Sequence, residues 1–115
     1  MQVLFIELPA FARLREQYLD DEAYRQLQAE LLRNPEAGAL LRHTGGLRKL
    51  RFQDRRRHKG KRGGLRVIYY WAAARRQCWL FTLFDKDETD DLSADECKLL
   101  RQRLYAEIAA REVKP

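Results

Sequence analysis

Two strongly apolar segments lie close together in the second half of the chain, at residues 65–73 and 78–85. Both are rich in β-branched and aromatic residues, and only a short basic connection around Arg75 separates them. Such a pattern is typical of a β-hairpin. A third strand-like segment at 47–53 precedes the pair, and residues 2–7 (QVLFIE) predict a strand at the N-terminus. The sequence therefore predicts a largely antiparallel sheet built from these four strands.

Two helices are predicted between the first and second strands. Pro9 suits the first turn of a helix, and apolar residues follow it at three- and four-residue spacing. Either Asp20 or Asp21 can cap a second helix, which Asn34 and Pro35 end. The buried side chains expected from these helices are Leu8, Phe11, Leu14, Tyr18, Tyr24, Leu27 and Leu31.

A last helix is predicted at about 94–111. Ser93 and Glu96 form a capping box just before it, and its apolar stripe consists of Cys97, Leu100, Leu104 and Ile108. Helices and strands are segregated along the chain rather than alternating, which indicates an α+β fold. Neither a repeat nor a linker divides the sequence, so residues 1–115 are expected to form a single domain.

Positive charge is concentrated in residues 48–66, which contain ten Lys or Arg and one acid, a net charge of +9. The rest of the chain has thirteen basic and sixteen acidic residues and is close to neutral. This asymmetry favours a surface that binds a polyanion. The part of this segment at 55–64 has three glycines and no apolar residue, so it is expected to act as a flexible electrostatic funnel. The basic residues expected to contact nucleic acid are Arg48, Arg55, Arg56, Arg57, Lys59, Lys61 and Arg62.

Strand alternation sorts the charges that flank this segment. Leu50 and Phe52 should point to one face of their strand, and Lys49 and Arg51 to the other. Arg66, at the start of the next strand, can join that pair if the two strands are neighbours. Converging cations repel one another, and a bound phosphate would relieve the repulsion. The alternative is a solvated strand face, on which Lys and Arg are common.

The chain resembles toxins of the RelE/ParE superfamily of bacterial type II toxin–antitoxin systems, most closely the HigB branch. The resemblance covers nearly the whole sequence and is strongest in TGGLRKLRF, KGKRGGLRVIYYW and LFTLFDKDETDDLS, within residues 44–92. It implies a microbial-nuclease-like fold, with helices packed on a sheet whose open face cuts mRNA in the ribosomal A site. It also implies a helix-turn-helix antitoxin of the HigA type as a partner, with the ribosome and mRNA as the target.

The resemblance carries catalytic roles onto four residues. Lys49 and Arg51 match the basic pair of the first family strand, Arg66 the arginine of the next strand, and Lys86 the cation after the last strand. The family also uses a tyrosine, and Leu92 stands near that position.

The reaction implied is attack of the RNA 2′-hydroxyl on the adjacent phosphate, which needs a base, an acid and cations but no metal or cofactor. Because like charges disfavour protonation, a lysine among arginines is expected to have a lowered pKa, and Lys49 is the candidate base. Arg66 is the candidate phosphate clamp. Lys86 is expected to stabilise charge or to protonate the leaving group. Tyr69 or Tyr70 can supply the missing hydroxyl, or else belong to the core or stack on a base.

Other arrangements of residues are possible from the sequence. His58 can act as an acid or base, and with His43 it can form a paired-histidine ribonuclease site. No Cys/His cluster has the spacing of metal ligands. Cys78 and Cys97 are expected to be buried thiols in a reducing compartment. With no membrane span or signal peptide expected, the sequence predicts a cytoplasmic protein.

Two other functions fit the same features. One is a ParE-like toxin that inhibits DNA gyrase by binding, for which the four-cation set has no evident use. The other is a non-catalytic nucleic-acid-binding module, in which the same cations hold phosphates without turnover.

Overall fold

The computed structural model describes residues 2–54, 64–87 and 91–112. The strands are β1 (Leu4–Glu7), β2 (Ala39–Leu40), β3 (Arg48–Phe52), β4 (Leu65–Ala72) and β5 (Gln77–Asp85). The helices are α1 (Pro9–Tyr18), α2 (Asp21–Arg33) and α3 (Ala94–Glu112). They include the three helices and four strands predicted from the sequence, together with one short additional strand, β2.

The five strands form one mixed sheet in the order β1-β5-β4-β3-β2. The prediction of four largely antiparallel strands was wrong in two respects. β2 has only two residues, too few to produce a strand pattern in the sequence, and it pairs antiparallel with β3. β1 pairs parallel with β5, because α1 and α2 carry the chain away from β1 before the remaining strands form. The β3–β4 and β4–β5 pairs are antiparallel as predicted.

Local signals in the sequence set the helix ends. Pro9 stands in the first turn of α1. Asp20 is the N-cap of α2, where its Oδ1 accepts a hydrogen bond from the Ala23 N–H at 2.7 Å. At α3 the predicted capping box is present: the Ser93 N–H donates to Glu96 Oε1 at 2.9 Å, and the Glu96 N–H donates to Ser93 Oγ at 3.1 Å. These contacts satisfy N–H groups that the first turn of a helix leaves without partners.

The two faces of the sheet carry separate apolar cores. Helices α1 and α2 cover one face, which we call the α1/α2 face. Its buried side chains include Phe11, Leu27, Leu31, Leu50, Phe52, Val67 and Leu80. Helix α3 packs on the other face, the α3 face, over a core that includes Leu8, Ile68, Trp79, Phe81 and Leu104. Most of the predicted α3 stripe packs there, whereas Cys97 is only half-buried and belongs to neither core.

A β-bulge lies between β4 and β5. Tyr69 pairs with Leu80 and Ile68 pairs with Thr82, which leaves Phe81 as an extra residue on β5. Beyond the bulge, Arg66 pairs with Phe84. Ile68 belongs to the core beneath α3, and Arg66 lies two residues along β4, so alternation places Arg66 on the same face. That end of the α3 face carries the cationic side chains.

Candidate active site

The pairing of β3 with β4 places three cations together on the α3 face. Leu50 and Phe52 are buried on the α1/α2 face, so Lys49 and Arg51 point the opposite way. Arg51 pairs directly with Arg66 across the two strands, and side chains at such positions have Cβ atoms about 4.5–5.5 Å apart. The predicted approach of Arg66 to the basic pair is confirmed.

Lys86 reaches the same end of the sheet from β5. It follows the last residue of that strand, and its backbone N–H donates to the Gly64 carbonyl at 3.2 Å. This hydrogen bond ties the segment after β5 to the segment that precedes β4, just before Arg66. The fourth predicted cation is therefore held beside the other three by backbone contacts.

The four cations line one cavity of about 70 Å³. Its wall consists of Lys49, Arg51, Arg66, Phe84, Lys86 and Asp91. A cavity of this volume has room for a small ionic group. The expectation that side chains 49, 51, 66 and 86 meet in one place agrees with this geometry. Phe84 and Asp91 were not foreseen as parts of the wall.

Arg66 is the buried member of the set, with 4% of its surface exposed. Burial lowers the pKa of its guanidinium, and the neighbouring charge of Arg51 lowers it further, while Asp91 and Asp87 oppose both effects. Its Nη1 donates to the Leu65 carbonyl at 3.2 Å. An anion in the cavity would favour the charged guanidinium, which offers paired donors that match phosphate oxygens.

Lys49 forms an ion pair with Asp91 that the sequence analysis missed. Lys49 Nζ lies 2.9 Å from Asp91 Oδ2, and the two side chains are 17% and 63% exposed. The hydrogen bond from Lys49 lowers the pKa of Asp91, with smaller contributions from the Leu92 N–H and from the charge of Lys86; partial burial acts the other way. The available sequence signal was the acidic run DKDETDD at 85–91, which directly follows the last predicted strand and includes the predicted site residue Lys86.

The ion pair changes the argument for an acid–base role at Lys49. The sequence shows only the cationic neighbours of Lys49. In the structure its amine donates a hydrogen bond to the Asp91 carboxylate at 2.9 Å. A base role for Lys49 therefore requires that the Asp91 carboxylate first leave the amine.

Tyr69 lies in the core, which is one of the alternatives that the sequence left open for it. Its side chain is completely buried in the core of the α1/α2 face, opposite the cavity. Its hydroxyl donates to the Pro35 carbonyl at 2.7 Å and accepts from the Gly38 N–H at 2.9 Å. Burial raises the pKa of the Tyr69 hydroxyl to about 12.

Tyr70, the other tyrosine candidate, packs against the core beneath α3, and its neighbours in the sheet are also core residues. Tyr70 packs against Trp79, with ring centroids 5.1 Å apart, and is not part of the cavity wall. Trp71 packs against the core of the α1/α2 face. Leu92 is half-buried against the core beneath α3. In the described part of the wall, no side chain carries a hydroxyl.

Arg48, predicted as a nucleic-acid contact, makes several contacts within the protein. Strand alternation turns it away from Lys49, and its side chain is 17% exposed. Its guanidinium donates to the Gly38 carbonyl at 2.8 Å and to the Glu36 carbonyl at 3.2 Å, and it pairs with the Glu36 carboxylate at 3.4 Å. Arg48 therefore fastens the loop after α2 to β3.

The other predicted nucleic-acid contacts, and His58, lie outside the described residues. These are Arg55, Arg56, Arg57, His58, Lys59, Lys61 and Arg62. His43 is exposed, has a left-handed backbone (φ 63°) and is not part of the cavity wall. Within the described ranges, no three His, Cys, Asp or Glu side chains are placed to hold a metal ion. None of the helices formed there has the length and apolar character of a membrane span.

The cavity offers a specific chemistry. Two guanidinium groups and two ammonium groups can surround a phosphodiester and stabilise the extra negative charge of a five-coordinate phosphorus. The ammonium groups can also exchange protons, whereas arginine stays protonated. The arrangement suits phosphate binding and phosphoryl chemistry.

Comparison with known proteins bears on the fold. No protein-family model matches the sequence. The structure is similar to that of a double arginine-to-alanine mutant of the E. coli toxin RelE in the free state, with a TM-score of 0.54 and 15% identity over 98% of this chain and 100% of that one. It is also similar to a crystal structure of the isolated E. coli RelE toxin, with a TM-score of 0.50 and 16% identity over 97% of this chain and 100% of that one. The chain therefore has a RelE-like α+β fold.

Proposed function

We propose that this protein is the toxin of a type II toxin–antitoxin system and that it cleaves mRNA on the ribosome. The observation that carries the proposal is the cavity lined by Lys49, Arg51, Arg66 and Lys86. The RelE-like fold supports it, since the RelE structures that this chain resembles are those of toxins.

In this proposal the RNA supplies its own nucleophile. The guanidinium of Arg66 clamps the scissile phosphate, and Arg51 adds positive charge where negative charge develops. Lys49, once released from Asp91, takes the proton of the 2′-hydroxyl, and Lys86 gives a proton to the departing 5′-oxygen. The P–O bond to the 2′-oxygen forms as the P–O bond to the 5′-oxygen breaks, and in this proposal the cationic side chains stabilise the added negative charge in place of a metal.

The same proposal names the partners and the place of action. A helix-turn-helix antitoxin of the HigA type neutralises the toxin, and acidic residues on it would complement the basic segment at 48–66. The ribosome presents the mRNA, and the protein acts in the cytoplasm. A gene for a small helix-turn-helix protein beside that of this chain would support assignment to the HigB branch.

Primer extension on mRNA in a translating extract tests the cleavage. We expect the wild-type protein to produce discrete breaks within the message, and Arg66→Ala to reduce the cleavage rate by on the order of 10²–10³, the usual effect of losing one transition-state donor. The matched control is Arg13→Ala, which removes an exposed arginine of α1 and should cleave like the wild type. Because Arg66 is buried, Arg51→Gln gives a second test at an exposed cation.

Three results would contradict the proposal. Intact message at a dose that still blocks translation would rule out cleavage as the cause of toxicity. Unchanged cleavage by folded Arg66→Ala and Arg51→Gln variants would place the site elsewhere. Inhibition of supercoiling in a gyrase assay, without mRNA breaks, would favour the ParE-like alternative, and salt-sensitive RNA binding without breaks would favour a binding module.

A further inference from the structure

Asp91 is the one acidic side chain in the described wall of the cavity. It is not a member of the cationic set, and the proposed reaction assigns it no step. Its Oδ2 accepts from Lys49 Nζ at 2.9 Å, and its Oδ1 accepts from the Leu92 N–H at 2.9 Å. One carboxylate oxygen thus accepts a hydrogen bond from the backbone N–H of Leu92, and the other points into the cationic cavity.

Charge explains why the carboxylate lies there. Arg51 and Arg66 face each other across β3 and β4, and like charges in directly opposed positions destabilise a sheet. The negative charge of Asp91 stabilises the charged form of Arg66 and is itself stabilised by Lys49 and Lys86. In the free protein Asp91 therefore supplies the counter-charge that a ligand phosphate would supply in a complex.

We propose that Asp91 determines the ligand selectivity of the cavity by occupying the position of an anion. The proposal rests on the proposed function, since it assumes that the cavity receives an RNA phosphate. A single phosphate ion gains only the contacts inside the cavity, and these replace contacts that Asp91 already makes. A polynucleotide also contacts the protein outside the cavity, so it gains binding energy that offsets the displacement of Asp91. Asp91 thus excludes free phosphate and admits RNA.

The release of Lys49 follows from the same event. When a ligand phosphate moves Asp91 away, the amine of Lys49 loses its hydrogen bond to the carboxylate and becomes available to the ligand. The strong hydrogen bond between Lys49 and Asp91 thus exists only until the substrate is in place. Asp91 acts here as a specificity-determining residue and takes no part in bond making.

Thermal unfolding in phosphate tests the proposal. A ligand that binds only the folded state raises its stability in proportion to the logarithm of ligand concentration over Kd. Wild type, Asp91→Asn and a control, Asp95→Asn, are compared in phosphate and in chloride at equal ionic strength. Asp95 is exposed in the first turn of α3, so its replacement makes the same change in net charge outside the cavity.

We expect phosphate to stabilise Asp91→Asn specifically, with a Kd on the order of tenfold lower than in the wild type, because one opposing charge a few ångströms away is removed. Asp95→Asn should respond like the wild type. Adding Lys49→Gln to Asp91→Asn should weaken the phosphate response again, which locates the effect in the cavity.

Equal phosphate responses of Asp91→Asn and Asp95→Asn would overturn the proposal, as would a strong response of the wild type. The measurement needs neither RNA nor ribosomes. A protein that fails to cleave mRNA while Asp91→Asn gains phosphate binding would refute the proposed function alone. Cleavage by a wild type whose Asp91→Asn variant gains no phosphate binding would refute the role of Asp91 alone.

Discussion

Replacing Tyr69 with phenylalanine separates a structural role from a catalytic one. The hydroxyl lies in a fully buried side chain and joins β4 to the loop after α2 through hydrogen bonds of 2.7 Å to the Pro35 carbonyl and 2.9 Å from the Gly38 N–H. Phenylalanine keeps the ring and leaves both backbone groups without this partner. An unsatisfied buried polar group costs about 1–3 kcal/mol, so we expect Tyr69→Phe to lower the free energy of unfolding by roughly that amount.

The stabilisation that the Tyr69 hydroxyl provides should also decrease at alkaline pH. Burial raises the pKa of Tyr69 from 10.0 to about 12, so the folded state holds the hydroxyl proton more tightly than the unfolded state. Its contribution to stability is complete below pH 10 and is lost as pH rises toward 12. From the two pKa values, the loss by pH 11 is about 1.4 kcal/mol. The stability difference between wild type and Tyr69→Phe should narrow by that amount between neutral pH and pH 11.

Urea unfolding followed by tryptophan fluorescence measures the loss of stability and its pH dependence. Trp71 and Trp79 lie in different cores, so the signal reports on both faces of the sheet. The buried thiol of Cys78, whose pKa burial raises to about 12, is common to both proteins, so both lose stability at alkaline pH through this group. Cleavage per folded molecule should be unchanged in Tyr69→Phe. A variant of wild-type stability that has lost cleavage would refute this reasoning and restore Tyr69 as a catalytic candidate.

Two further substitutions test contacts on which the fold depends. Arg48→Ala should reduce the free energy of unfolding by about 1–3 kcal/mol in urea titrations, because the carbonyls of Glu36 and Gly38 lose a charged donor; a fall in cleavage per folded molecule would instead support a nucleic-acid contact. Ser93→Ala should lower stability by about 1 kcal/mol through loss of the capping box, whereas Ser93→Thr should retain most of it, and equal melting temperatures for the two variants would contradict a capping role.

Those features of the fold that depend on local patterns were predictable. Hydrophobic period, caps and the short connection between β4 and β5 gave the three helices and the hairpin, and alternation along β3 gave the shared face of Lys49 and Arg51. The parallel pairing of β1 with β5 was not predictable in this way, because its partners are more than seventy positions apart. β2 was missed because two residues cannot display a period.

In the candidate site, too, local sequence patterns were predictable and long-range contacts were not. The four cations could be named from the sequence: alternation along the strands pointed to Lys49, Arg51 and Arg66, and the family resemblance supplied Lys86 and the catalytic roles. Asp91 could not, since it lies in the connection before α3 and contacts Lys49 forty-two positions away. Arg48 was assigned by its charge alone, although its place one residue before Lys49 directs it to the other face. Charge shows which residues can meet an anion, but geometry decides which of them do.

The extra residue on β5 has a consequence for how this strand divides its tasks. Counting alternate positions from Trp79 would direct Phe84 toward α1 and α2, yet the insertion of Phe81 resets the count, so that Phe84 lies opposite Arg66 on the other side. Bulges also sharpen the local twist, and this one lies between the stretch under α3 and the stretch beside the cations. The alternation of side chains along β5 therefore changes phase at Phe81. The bulge therefore lets Trp79, Phe81 and Phe84, which are not all at alternate positions, face the same side of the sheet.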